Sequence, residues 1–212
     1  MKNVNKAIKI LLLFLFTTQI SLYMYQPLLA VFVTDFIQGA TISIVGFSTA
    51  FYAIVKSIIQ VPAAKFLDKQ KGERDDFYVM IVGAVFATIS TYAYALISEV
   101  WHLYMVSIGY GISAAFLFAA YYSIFSHHVD EGAQGFEWSL FSVGGLTISS
   151  ALGGAVGGVV VESFGFTTAF IIAGTLSLIA TILLFALYPL LDGFRPKGEA
   201  VYVSSKERLK KK

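Results

Sequence analysis

Lys56 is the residue of this chain most in need of a chemical explanation. It lies in the stretch AFYAIVKSIIQVP, Ala50 to Pro62, where every other side chain is apolar or at most mildly polar. An ammonium group in hydrocarbon costs at least about 2.5–3.5 kcal/mol on insertion scales, and such residues mark solute pathways or ligands. Other polar residues recur around it at helical spacing. Ser48, Tyr52, Lys56 and Gln60 step by four, and Gln19, Tyr23 and Gln26 share one face of an earlier apolar run. Ser107, Tyr110, Thr147 and Ser150 add hydroxyls further along. Lipid rewards none of these groups, so the aligned faces predict the inside of a helix bundle or a wet cavity; a single serine or threonine needs only a neighbouring carbonyl. The expected solute-binding residues are Lys56, Tyr52, Gln19, Tyr23, Gln26 and Tyr110.

None of the 13 acidic residues falls within an apolar run, so Lys56 has no buried counter-ion on its own chain. Either the amine is neutral or an anion supplied by the solute compensates it. A middle position about 15 Å from each end of its run is beyond full snorkelling by a lysine stem. Three readings stay open: a solute or coupling site, a structural hydrogen-bonding role, and a partial snorkel. The missing acids also argue against an exporter of cationic drugs coupled through a membrane carboxylate. The segment SHHVDEG offers His127, His128, Asp130 and Glu131 as metal-ligand types, but the chain has only 3 histidines and no cysteine. No nucleophile elbow or paired-carboxylate site appears, so a structural turn is expected there, and neither enzymatic activity, metal nor cofactor.

The elements that must position these residues follow from composition. With 57% hydrophobic and 13% charged residues, against roughly a quarter charged in soluble domains, the sequence predicts an all-α integral membrane protein. A hydrocarbon core about 30 Å thick takes about 20 helical residues. Six runs qualify: 9–33, 42–66, 77–97, 102–126, 138–161 and 167–190. Backbone groups must be satisfied within each segment, so these are helices. The first run is too long for a signal peptide and shows no small-residue cleavage site, so it is read as a retained span. Lys2, Lys6 and Lys9, then Lys65, Lys69, Lys71 and Arg74, then the basic tail from Arg195 to Lys212 all fall on one side. That asymmetry places both termini in the cytoplasm, with Lys56 the exception. The chain thus divides into a six-helix transmembrane domain, 1–192, and a basic cytoplasmic tail, 193–212. It is expected in the cell (inner or plasma) membrane, with the lipid bilayer and not nucleic acid as its surroundings.

The stretch PAAKFLDKQKGERDDF resembles the signature of the major facilitator superfamily (MFS) between helices 2 and 3 of a six-helix half. Asp68, Lys69, Gly72 and Arg74 match its order, Ala64 stands at the family's glycine, and one extra residue separates Lys69 from Gly72. The resemblance implies that these four form a conformational latch between halves. GGAVGGVVVESFGFTTAF, Gly153 to Phe170, resembles the end of helix 5, with Gly154 where antiporters place a proline. Apart from any family, Gly153, Gly154, Gly157 and Gly158 form small-xxx-small pairs, which predicts close helix packing. SIGYGISAAF resembles the small-residue stretch of helix 4, but Met105 replaces an arginine that many amino-terminal halves carry. That departure argues against proton antiport relying on it and leaves open which half the chain resembles.

The resemblance covers about residues 10–190 and implies one half of a twelve-helix transporter. Full family members alternate access by rocking two halves related by an axis along the membrane normal. The expected function is therefore movement of a small, anionic or polar organic solute by a homodimer. A second half-length chain as partner, a split product without transport of its own, and a non-transporting sensor or assembly module are the alternatives.

Overall fold

A computed structural model describes residues 4–69 and 72–191; the basic tail over 193–212, and Lys71, lie outside the described residues. The first apolar run forms α1 (Lys6–Tyr23), capped by the Asn5 side chain, which accepts from the Ala7 amide at 3.1 Å. A tight turn over Gln26–Leu28 follows, where Pro27 loses no helical hydrogen bond, and α2 (Leu29–Phe36) continues the run. Next come α3 (Ile42–Lys69), α4 (Glu73–Ala93) and α5 (Val100–His128). The short α6 (Gln134–Ser139) passes through a widened π-type segment, Leu140–Ile148, into α7 (Ser149–Leu183), and a tight turn over Leu184–Leu190 ends the bundle.

Among the described residues, five stretches are long and apolar enough to cross a membrane: Lys6–Phe36, Ile42–Lys69, Glu73–Leu96, Val100–His128 and Gln134–Leu190. The expected fifth and sixth runs are joined in the last of these, which has 57 residues. ESFGF marks the break between them, where two helices meet at a kink. Only Gly165 leaves helical geometry, with a φ of 82° that glycine adopts without steric cost. Helix also reaches into DKQKGERDD from both sides. Asp68 and Lys69 end α3, while Glu73, Asp75 and Asp76 open α4. Lys69 and the three acids of α4 suit the helix termini they occupy, whereas Asp68 does not.

α5 packs against α3, α4 and α1, and α7 against α1 and α4; α3 touches only α5 and α2 to any extent. Two apolar clusters fill opposite ends of the bundle. One joins Leu11 and Phe14 of α1 to Met80 of α4 and Tyr121 of α5; the other joins Tyr25, Phe32, Tyr94 and Phe170. Lipid gives helices no hydrophobic reason to associate, so close contact relies on small residues. A Cβ added at Gly83 would meet the Leu117 amide nitrogen at 2.7 Å, and one at Gly153 the Ile20 carbonyl at 2.6 Å; one at Gly157 would overlap the Met24 backbone. Gly154 and Gly158 have nothing within 4 Å, which corrects the four-glycine expectation. At about 100° per residue, only the 153/157 pair can face α1. Hydrogen bonds add to this packing. Ser21 donates to the Ala173 carbonyl at 2.7 Å, Tyr121 to the Leu11 carbonyl at 3.2 Å, and the Thr88 and Ser177 hydroxyls pair at 2.8 Å.

Candidate functional site

The end of α1, the start of α2 and the first halves of α3 and α5 line a half-open cavity of about 80 Å³. The end of α1 and the turn after it contribute Leu22, Tyr25 and Gln26, α2 adds Leu29, and Tyr94 enters from the end of α4. From α3 come Ser48, Thr49 and Tyr52, and from α5 Ser107 and Tyr110. One contact sets the width of this site. The α5 backbone at Gly111 approaches α3 so closely that an added Cβ would lie 2.8 Å from the Tyr52 carbonyl oxygen. The Tyr52 and Tyr110 rings consequently sit with centroids 5.7 Å apart. Across the cavity Tyr25 packs between Tyr94, tilted at 5.1 Å, and Phe170, edge-on at 5.4 Å. No lining residue carries a formal charge, so the wall is aromatic surface interrupted by hydroxyl and amide groups.

Lys56 lies one helical turn beyond Tyr52 on α3, at the edge of the cavity and not in its lining. Its Nζ is 4.7 Å from the centroid of the Phe118 ring and 5.7 Å from that of Tyr52. Contacts of this kind with ring faces stabilise a cation by about 0.5–2 kcal/mol. Among the described residues, no hydrogen-bond acceptor and no carboxylate reaches the ammonium group. The side chain is half-buried.

Of the residues expected to bind solute, the cavity brings together Tyr52, Gln26 and Tyr110, with Lys56 beside them. Gln19 and Tyr23 stay apart. Gln19 is buried in the bundle, and the Tyr23 Cβ would lie 3.0 Å from a Cβ on Gly153. The shared face fails because α1 stops at Tyr23, so Gln26, in the next turn, points elsewhere. Thr147 and Ser150 turn back to the Ser142 and Thr147 carbonyls, at 3.2 and 2.9 Å. Tyr25 and Tyr94 were not foreseen. The available signal was the polar tip on each ring, which needs a partner when buried in an apolar run.

The sequence profile of the Major Facilitator Superfamily matches residues 11–211. The chain belongs to the major facilitator superfamily. An uncharacterized MFS-type transporter of Methanocaldococcus jannaschii is 23% identical over 183 residues, covering 86% of this chain and 46% of that protein. The in meso crystal structure of PepTSo, a POT family transporter, superposes with a TM-score of 0.72 at 12% identity, covering 92% of this chain and 39% of that one. The likeness to PepTSo shows an MFS fold. The chain spans less than half the length of either relative.

At one end of this MFS bundle, the four residues of the expected latch divide between helices. Asp68 and Lys69 occupy the exposed last turn of α3, Gly72 precedes α4, and Arg74 lies in the first turn of α4. The Arg74 guanidinium carbon is 5.3 Å from the centroid of the Tyr188 ring, and thus faces the chain's own final turn. Beside them is a cluster the sequence did not announce. The buried Glu73 carboxylate lies 3.7 Å from His127 Nδ1 and 3.8 Å from His128 Nε2, and Ser123 donates to Asp76 at 2.7 Å. Carboxylates at the start of α4 thereby meet histidines at the end of α5, and the acids complement the dipole at their helix start.

Proposed function

We propose that this chain is a half-size MFS secondary transporter or facilitator. It works as a homodimer and moves a small anionic or polar organic solute by alternating access. One observation carries this reading: an ammonium held against two aromatic rings, without an acceptor among the described residues, beside a neutral hydroxyl-rich cavity. A half-buried cation that none of the described residues satisfies is suited to an anion that arrives and leaves.

The remaining parts of the proposal follow from lengths and charges. Gln134–Leu190, bent at Gly165, is long enough for two crossings at about 20 residues each, making six in all. The distribution of lysine and arginine supports cytoplasmic termini and a plasma-membrane orientation. Only 6% of the apolar window of α3 is buried, which supports a second bundle alongside it, with Asp68 and Lys69 as the latch at that boundary.

Uptake into proteoliposomes tests the role of Lys56. Lys56→Ala is expected to reduce uptake of anionic solutes by roughly tenfold or more, the loss of one buried charge partner, while uptake of a neutral solute carried by the wild type changes little. Equal uptake of anions by wild type and variant would sink the proposal.

A further inference from the structure

We propose that the solute is a dianion, a short dicarboxylate in the simplest case, held with one carboxylate at Lys56 of each of two copies. This rests on the homodimer reading above. A two-fold axis presents every site residue twice, so a dimer brings two Lys56 groups to one central space. Among the described residues, nothing neutralises them. The cavity lining is uncharged, and the nearest acid along α3 is Asp68 in its last turn. A monoanion would leave one ammonium uncompensated in a medium of low dielectric. A dianion leaves none, and the occluded complex is then electroneutral at this site.

The surroundings of the ammonium fit this role. An ammonium has three donors, and contacts with the faces of Phe118 and Tyr52 use none of them. They fix the position of the amine and leave its N–H groups for a carboxylate. The axis also makes both ends of the ligand meet identical walls, which favours a molecule with an acid group at each end. The size of the cavity limits the length of that molecule. About 80 Å³ beside each Lys56 is smaller than a cavity of roughly 150 Å³ that takes benzene, which favours a short chain over a ring. Ser107, Tyr110 and Gln26 on the wall offer hydrogen bonds to a short polar body.

Calorimetry on purified full-length protein in nanodiscs, with the mass of the same sample from light scattering, tests this. The probes are oxalate, succinate and adipate, with butyrate and succinamide as the singly charged and neutral comparisons. The expected result is a dimer binding one dicarboxylate per two chains, butyrate weaker by roughly tenfold or more, and no heat from succinamide. Lys56→Met should abolish binding and Lys56→Arg retain it, with both variants eluting as the same dimer. A dimer that binds one butyrate per chain without preferring any dicarboxylate overturns the dianion but leaves an anion transporter. A dimer that binds none of the three dicarboxylates overturns it as well. A strict monomer overturns the homodimer reading and this inference with it.

Discussion

α3 and α5 lie side by side, have 28 and 29 residues and the same mean hydropathy, yet half of the apolar window of α5 is buried and only 6% of that of α3. The difference is in side-chain size. Gly111, Ala114, Ala115, Ala119 and Ala120 line α5 and let three helices approach it. α3 carries Phe47, Ile54, Ile58 and Val61 on surfaces that no helix among the described residues covers. Hydropathy measures transfer out of water and is indifferent to whether lipid or protein receives the side chain. Small residues at i, i+4 report protein neighbours, because only a close backbone uses the space they leave.

The largest effect should come from filling that space. Gly111→Ala places a methyl group 2.8 Å from the Tyr52 carbonyl, and backbone cannot yield as a flexible side chain does. A loss of about 1–3 kcal/mol is expected, typical of overpacking, together with disturbance of the Tyr52–Tyr110 pair. Gly46→Ala on α3 meets nothing within 4 Å and should be neutral or stabilising by up to about 1 kcal/mol, through helix propensity. Unfolding in mixed detergent micelles measures both. Equal losses would break the contrast between the two helices.

A smaller effect tests the polar part of the α5 interface. Tyr121→Phe keeps the ring, which stacks on Phe125 with centroids 5.8 Å apart, and removes only the hydroxyl that donates to Leu11. Interhelical hydrogen bonds in membranes contribute about 0.6 kcal/mol on average and up to about 1.7. A cost within that range, measured in the same micelles, would show that α5 is held to α1 chiefly by shape. A larger one would assign the contact to the hydrogen bond.

The contrast between α3 and α5 also explains what could be read from the sequence. The apolar runs mark the helices to within a few residues, since hydrocarbon thickness sets their length. Lys56, Tyr52, Gln26 and Tyr110 are legible because a polar group in an apolar run is conspicuous wherever the helix lies. What periodicity lacks is the identity of the neighbour. It cannot separate Gly153 and Gly157, which meet α1, from Gly154 and Gly158, which meet nothing. It extends the face of α1 through Gln26 because the helix end at Tyr23 has no strong stop signal before Pro27. Charge clusters read as breaks between runs, although acids at the start of α4 and histidines at the end of α5 lie within helix termini. Their pairing through Glu73 is a tertiary contact between distant parts of the chain.

The smallest expected effect falls on the outer face of α3. Ile58 is 67% exposed, so in the isolated chain Ile58→Ala removes methyl groups from contact with detergent and creates no cavity. The change in stability should stay within about 0.5 kcal/mol, as at other uncovered sites. The small number is informative because it depends on concentration. If a second copy covers α3, Ile58→Ala weakens the dimer, and its cost should grow as protein concentration rises into the range where the wild type is dimeric. A cost that stays negligible at every concentration, in a sample shown by mass to be dimeric, would put the second copy on another face of the bundle.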